Sequence, residues 1–118
     1  MKINYFTFGT NDMDKAASFY DALFDGTELS RAHTGDRMIL WSNDTFMFAI
    51  AKPFDGQNAT NGNGSMLGLN LDSKEGVDQM HQKALELGGK CEGEPHVRSG
   101  RHSAYFRDLD NNKWCIYV

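Results

Sequence analysis

The sequence has little cysteine, little proline and no basic excess, and each shortage excludes a class of protein. Its 118 residues include two cysteines and two prolines. Cys91 and Cys115 form no CxxC pair and cannot build a disulfide framework, so we expect free thiols in a reducing cytoplasm. Twelve Lys and Arg stand against 16 Asp and Glu, and this net charge of −4 argues against a nucleic-acid partner.

Long apolar runs are absent as well. No stretch approaches the ~20 apolar residues that cross a bilayer, so no membrane partner is expected. The opening residues MKINYF lack a basic segment followed by an apolar run, which argues against a secretory signal and for a cytoplasmic location. Hydrophobic residues still make up 40% of the chain and aromatics 12%, which is enough for one compact core.

Hydrophobic periodicity predicts the same order of elements twice along the chain. Each half contains a strand, an amphipathic helix and three further strands. Thr10-Asn11-Asp12 offers N-caps for the first helix, and Ser73 can cap the second. The expected elements of the first half are a strand at 3–9, a helix at 12–24, and strands at 28–32, 37–41 and 45–51. Those of the second half are a strand at 65–71, a helix at 74–87, and strands at 90–92, 103–107 and 113–118.

This internal repeat, offset by about 60 residues, predicts the fold class. We expect an α+β protein with two βαβββ repeats that form a cupped mixed sheet around a central trough, a natural place for a small molecule. The chain is predicted to be a single domain, 1–118, with repeat one at 1–52 and repeat two at 65–118. Residues 53–64, with three glycines and three asparagines, are predicted to be a linker.

Three stretches resemble one known family. They are the opening 3–13 with Ser18-Phe19-Tyr20, the stretch 69–73 with Leu87-Gly88-Gly89, and the turn at 105–112. Together they resemble the vicinal oxygen chelate superfamily, which includes glyoxalase I, bleomycin-resistance proteins, fosfomycin-resistance enzymes and extradiol dioxygenases. The turn departs from the family pattern at Leu109, where Pro is usual, and at Asn111, where Gly is usual. Asn tolerates the left-handed backbone that Gly would adopt there.

The resemblance also implies a metal site, which this sequence does not fill. Metal-using members carry His or Gln on the first strand of each repeat and Glu on the last. The corresponding positions here are Tyr5, Ala49, Met66 and Cys115. Ala49 has no donor atom and Met66 has only a thioether, whereas a divalent cation needs several convergent ligands. We therefore expect no metal at the family position and no cofactor.

Strand alternation sorts the side chains of the predicted sheet. In the family register, one set faces the helices and is uniformly apolar, and the other faces the trough and is mixed. Trp41 is either an aromatic platform or core packing, and Arg98 or Arg101 in the basic segment 95–102, read as a loop, would suit an anionic ligand. His81, on the second helix, is expected at the surface or its boundary. The candidate ligand-binding residues are Tyr5, Thr7, Trp41, Met47, Ala49, Met66, Asn70, Arg98, Tyr105, Cys115 and Tyr117.

No catalytic group can be named from these residues. The leading hypothesis is therefore a metal-free small-molecule-binding protein of the bleomycin-resistance type, which sequesters a drug or metabolite. The resemblance implies a homodimer. The alternative is a lyase, isomerase or dioxygenase related to glyoxalase I, with a relocated or absent metal, and a third reading is a protein-interaction module. The acidic balance of the chain is compatible with a cationic ligand.

Overall fold

Each half of the chain folds as a strand, a helix and three further strands. The computed structural model describes all residues, 1–118, and they divide into a first unit, 1–60, and a second unit, 61–118. This arrangement is the α+β fold with two βαβββ repeats that the sequence predicts. Neither helix has the length and apolar character needed to span a membrane.

The first unit is a four-stranded mixed sheet with the order β1-β4-β3-β2, in which β1 and β4 are parallel. Asp12 caps the helix because its side chain accepts a hydrogen bond from the Lys15 amide at 3.1 Å. The helix ends at Phe24, just before Gly26 turns the chain with a φ of 80°. The elements are β1 (Tyr5–Gly9), α1 (Met13–Phe24), β2 (Ser30–Thr34), β3 (Met38–Ser42) and β4 (Met47–Ala51).

Aromatic rings fill the core between α1 and the first sheet. Tyr20 of α1 packs against Phe48 of β4 with ring centroids 4.7 Å apart, and Phe24 lies 5.8 Å from the same ring. Trp41 of β3 joins them at 5.7 Å from Tyr20. Because successive strand residues point to opposite faces, this packing fixes which side of the sheet faces α1.

The second unit repeats the topology with the strand order β5-β8-β7-β6, in which β5 and β8 are parallel. Ser73 caps its helix by accepting a hydrogen bond from the Gly76 amide at 3.0 Å. Its core contains fewer aromatic rings, and those of Phe106 and Trp114 stack with their centroids 6.1 Å apart. The elements are β5 (Leu67–Asn70), α2 (Lys74–Glu86), β6 (Lys90–Arg98), β7 (Arg101–Arg107) and β8 (Lys113–Tyr117).

The turn between β7 and β8 is built around one buried carboxylate. Asp108 Oδ1 accepts hydrogen bonds from the amides of Asp110 and Asn112 at 2.9 and 2.8 Å, and Oδ2 accepts one from Asn112 Nδ2 at 3.0 Å. Asn111 has a φ of 68°. Asn therefore takes the left-handed position that Gly usually occupies in the resembled family, as expected.

The prediction for β6 was wrong. The sequence predicted a short strand at 90–92 and a loop at 95–102, but β6 runs to Arg98 and forms a hairpin with β7 through Ser99-Gly100. Both turn residues have positive φ, 50° and 78°, as a tight two-residue hairpin requires. Pro95 is tolerated because β6 is an edge strand with irregular pairing between Gly93 and His96.

Residues 52–66 contain no helix or strand. Ala59 is held to the first unit by the side chain of Asn11, which accepts from the Ala59 amide at 2.7 Å and donates to its carbonyl at 3.0 Å. The division of the chain at Thr60 falls inside the predicted linker, 53–64. The single domain with two repeats stays a prediction.

Candidate functional site

The face of the second sheet opposite α2 gathers most of the polar candidate residues. Trp114 and Ile116 of β8 are buried on the α2 side. Because strand residues alternate between faces, Cys115 and Tyr117 point to the other side of the sheet. Cross-strand pairing places Tyr105 beside Cys115 and Asn70 beside Tyr117. Four of the predicted residues therefore share one face, and Met66 precedes β5 in the same alternation.

Cations lie over both tyrosines of this face. The Arg98 guanidinium is 5.1 Å from the centre of the Tyr105 ring, and the Lys113 ammonium is 5.3 Å from the same ring. The Arg101 guanidinium is 5.4 Å from the centre of the Tyr117 ring. Each contact lies within the range of a cation–π interaction. We call the set Arg98, Arg101, Tyr105, Lys113 and Tyr117 the Arg–Tyr face.

Arg98 is held in place by backbone and side-chain oxygens. Its Nη1 donates to the Ser103 carbonyl at 2.6 Å and to the Ser103 hydroxyl at 3.3 Å, and its Nη2 donates to the Glu94 carbonyl at 2.8 Å. Gly93 provides the necessary room. A Cβ at this position would lie 3.0 Å from Arg98 Nη2 and 2.8 Å from Cδ2 of Tyr105. The guanidinium is thus pre-ordered over Tyr105 without a carboxylate partner.

The charge on this face is only partly neutralised. Arg107 pairs with Glu92 at 2.7 Å, and this hydrogen bond lowers the pKa of the Glu92 carboxyl below its ordinary value. Arg98, Arg101 and Lys113 take part in no ion pair. The face therefore carries three positive charges outside any ion pair, each over a tyrosine ring, although the whole chain is acidic.

The face of the first sheet opposite α1 has a different character. Tyr5 pairs with Met47, and Thr7 pairs with Ala49, so these four predicted residues share one face. Ala49 is fully buried, while Tyr5 is 46% exposed. The Thr7 hydroxyl is buried without a hydrogen-bond partner. Besides this hydroxyl and the phenol of Tyr5, the four residues offer the thioether of Met47 and the methyl group of Ala49, and none of them carries a positive charge.

Trp41 lies apart from the other candidates. It is 1% exposed, on the α1 side of the first sheet, and its Nε1 donates to Asp21 Oδ1 at 3.0 Å. Arg31 also binds this carboxylate and lies 5.6 Å from the indole ring. The indole borders a cavity of about 250 Å³ at the end of α1. Of the two readings from sequence, core packing matches its place in the fold.

The four positions that correspond to the family's metal ligands do not suit a metal. Tyr5 and Ala49 belong to the first sheet, and Ala49 contributes only a buried methyl group. Cys115 pairs with Gly68, a residue without a donor side chain, and Met66 is an exposed thioether. A phenol, a methyl group, a thioether and a thiol do not make the set of His and carboxylate ligands that a divalent cation prefers.

Two residues of the Arg–Tyr face were not among the predicted site residues. Lys113 lies two residues before Cys115, so strand alternation places it on the same face, and this signal was available in the sequence. Arg101 was named with Arg98 as a possible contact for an anionic ligand, but in a segment interpreted as a loop. Its contact with Tyr117 depends on the β6–β7 hairpin, which also turns the next residue, His102, to the α2 side, where it binds Asp78 at 2.7 Å.

Comparisons with known proteins agree on one family. The family model of the Glyoxalase/Bleomycin resistance protein/Dioxygenase superfamily matches residues 2–116. A glyoxalase/bleomycin resistance protein from Albidiferax ferrireducens is 34% identical, with a TM-score of 0.91 over 98% of this chain and 96% of that chain. No curated protein matches the sequence.

More distant structures share the fold alone. A glyoxalase-related enzyme from Fulvimarina pelagi is 18% identical, with a TM-score of 0.83 over 99% of this chain and 87% of that chain. A fosfomycin resistance protein from Mesorhizobium loti is also 18% identical, with a TM-score of 0.74 over 100% of this chain and 91% of that chain.

Proposed function

The chain belongs to the Glyoxalase/Bleomycin resistance protein/Dioxygenase superfamily, and we propose that within it this protein binds a small anionic organic molecule without a metal at the family position. Binding would serve sequestration of a drug or metabolite rather than its conversion. The proposal rests on the Arg–Tyr face, where three unpaired cations lie against two tyrosine rings.

This arrangement favours an anion attached to a planar group. A carboxylate or phosphate can accept charge-assisted hydrogen bonds from Arg101 and Lys113, neither of which forms an ion pair within the chain. The tyrosine rings can pack against an aromatic or unsaturated body, a contact worth about 0.5–1.5 kcal/mol beyond its buried area. The overall charge of −4 does not oppose this, because interactions between exposed charges more than about 8 Å apart are largely screened at physiological salt.

The donor chemistry supports the metal-free part of the proposal. Sequestration needs complementarity and no Lewis acid, and the residues at the family's metal positions supply a poor ligand set. Catalysis would need a group on this face that is placed to move a proton or stabilise a developing charge. The lyase, isomerase or dioxygenase alternative is therefore kept as an outcome of the binding test.

The test compares matched ligands that differ in charge. Benzoate and phenyl phosphate are titrated calorimetrically against benzamide and benzylamine, which keep the ring and change the charge. We expect the two anions to bind in preference to the amide and the amine. Arg101→Gln should weaken binding of the anions by about tenfold, the scale of one lost charge-assisted hydrogen bond.

A matched control comes from the first unit. Arg37 lies 5.7 Å from the ring of the exposed Phe54, so Arg37→Gln removes a guanidinium from another arginine–aromatic contact. This variant should bind the anions as the wild type does. Equal binding of anion, amide and amine, or equal losses in the two variants, would contradict the proposal. Conversion of a ligand, followed by mass spectrometry, would favour the enzyme.

The oligomeric state is a separate expectation. We propose a homodimer because the family resemblance implies one. Native mass spectrometry of the untagged protein measures the subunit count directly, together with any small molecule retained during purification. A monomer at micromolar concentration would contradict the dimer without affecting the ligand proposal.

A further inference from the structure

Three metal-ligating side chains meet on the α2 side of the second unit, away from the Arg–Tyr face. His81 belongs to α2, while Cys91 and Glu94 belong to the edge strand β6. A ring nitrogen of His81, the Cys91 sulfur and a Glu94 carboxylate oxygen all lie within 4.8 Å of one another. Cys91 Sγ and Glu94 Oε1 are already in hydrogen-bond contact at 3.3 Å.

His81 is the unusual member of this group. The sequence predicted a surface or boundary residue, and this was wrong, because His81 is 3% exposed. Its Nε2 is buried without a hydrogen-bond partner. Buried polar atoms in native proteins are nearly always paired. A histidine with an unpaired Nε2, and with a ring nitrogen within 4.8 Å of a thiol sulfur and a carboxylate oxygen, is therefore a candidate to bind an additional partner.

The chemistry of the three groups matches one class of ion. Thiolate sulfur, imidazole nitrogen and carboxylate oxygen are the three ligand types of protein-bound Zn²⁺. Bond lengths of about 2.0–2.3 Å in a tetrahedron set neighbouring ligand atoms roughly 3.5 Å apart. The contact between Cys91 and Glu94 already has this spacing, and both side chains are exposed on an irregular edge strand that can adjust toward His81.

We propose that His81, Cys91 and Glu94 bind Zn²⁺ and fasten α2 to β6. The sulfur would exchange its proton for a bond to the ion, the proton would pass to solvent, and no oxidation would occur. The exposure of Cys91 and Glu94 leaves a fourth position for water. Because the sulfur binds the ion as a thiolate, metal binding should release a proton.

This site differs from the family's metal position. Cys115, at the family position, lies on the inner strand β8 and points to the opposite face of the second sheet, whereas the proposed ligands come from α2 and the edge strand β6. The ion would therefore act on stability, because a ligand that binds only the folded state raises the unfolding midpoint. Anion binding by the Arg–Tyr face does not depend on it.

The test uses the metal-stripped, reduced full chain. Zn²⁺ is titrated in competition with a chromophoric chelator, and Co²⁺ replaces it to report a thiolate-to-metal absorption band. We expect one ion per chain and a cobalt–thiolate band that disappears in Cys91→Ser. Cys115→Ser is the matched control and should keep the band, because it removes the other free cysteine.

The remaining ligands are tested by affinity. Glu94→Gln and His81→Asn should each weaken Zn²⁺ binding by more than about tenfold. Loss of a residue that only supports a metal ligand already weakens binding by about 10–100-fold, and loss of a ligand itself should cost at least as much. His33→Asn removes an exposed histidine and should leave the affinity unchanged. If His81→Asn fails to fold, the substitutions at the exposed Cys91 and Glu94 still test whether these residues bind Zn²⁺. Absence of stoichiometric Zn²⁺ binding, or equal binding by Cys91→Ser and Cys115→Ser, would overturn the proposal.

Discussion

The two units share one topology but differ in what they place on the two faces of their sheets. The first unit concentrates its aromatic rings in the core, where Tyr20, Phe24, Trp41 and Phe48 pack together. On the other face of its sheet the residues Tyr5, Thr7, Met47 and Ala49 carry no charge, and Ala49 is fully buried. The second unit keeps fewer rings in its core and places two tyrosines under cations on the other face.

This difference shows how two repeats of one fold can carry different functions. Both sheets satisfy the same backbone pairing, so the side chains that point away from the helix can change without loss of the fold. The first unit is expected to depend more on aromatic packing. The second is expected to depend more on polar contacts and to supply the specificity of binding.

The largest expected effect tests the aromatic core of the first unit. Phe48→Ala removes a ring that is 0% exposed and touches both Tyr20 and Phe24. We expect a loss of about 3–5 kcal/mol in the free energy of unfolding, measured by urea denaturation. Phe48→Leu, which keeps most of the volume, should lose clearly less. Equal losses in the two variants would contradict the packing account.

The next prediction compares the equivalent turns of the two units. Asp108→Ala leaves the amides of Asp110 and Asn112 without their acceptor in a buried turn, and we expect a loss of about 3 kcal/mol. In the first unit, Asn43 Oδ1 accepts from the amides of Thr45 and Phe46 at 2.9 and 2.8 Å, nearer to solvent.

Asn43→Ala should therefore cost only about 1 kcal/mol, because water can replace the lost acceptor. Urea denaturation of both variants gives the two values directly. A loss at Asn43 as large as the loss at Asp108 would show that burial of the turn is not what distinguishes the units.

A smaller effect is expected on binding by the Arg–Tyr face. Gly93→Ala would place a Cβ 2.8 Å from Cδ2 of Tyr105 and displace Arg98 from its ring. Affinity for benzoate should fall by about 1 kcal/mol, the scale of one cation–π contact. Gly68→Ala is the control, because its Cβ would lie at an ordinary 3.7 Å from the Tyr117 ring. A greater loss in Gly68→Ala would contradict the proposed role of Arg98.

The smallest effect concerns the pH dependence of stability. The hydrogen bond from Arg107 lowers the pKa of Glu92 in the folded state below its ordinary value of 4.5. The pair therefore stabilises the fold above that pH, and this contribution is lost as the pH falls through the lowered pKa. Because the carboxylate is exposed, the effect is small.

The measurement is the melting temperature of the wild type and Glu92→Gln over a range of pH. The wild type should melt slightly higher near neutral pH, and the difference should vanish in acid. If the difference in melting temperature between the wild type and Glu92→Gln grew as the pH fell, the ion pair would not stabilise the fold through the lowered pKa of Glu92.

Much of the fold follows from local signals in the sequence. Thr10-Asn11-Asp12 and Ser73 precede apolar residues at helical spacing and predict the helix starts, and the caps in the structure are Asp12 and Ser73. The residues expected to face the helices, such as Phe48 and Trp114, do so because strand alternation has a period of two. Asn111 is also predictable, because few other residues accept its positive φ.

The remaining features depend on tertiary contacts that no local signal reports. Gly93 and Pro95 make β6 resemble a loop, and only pairing with β7 reveals the strand. His81 follows a helical pattern that is equally compatible with a surface position, and its burial depends on how α2 lies on the sheet. The central trough that the internal repeat predicts stays a prediction.

The most direct test of the central claim is to map the anion onto the two units. Two-dimensional ¹H–¹⁵N spectra of the labelled protein, recorded during a benzoate titration, report which amides sense the ligand. We expect saturable chemical-shift changes concentrated in β7 (Arg101–Arg107) and β8 (Lys113–Tyr117), and we expect Arg101→Gln to abolish them. Shifts confined to β1 (Tyr5–Gly9) and β4 (Met47–Ala51), or no saturable shifts with any aromatic anion, would contradict the claim.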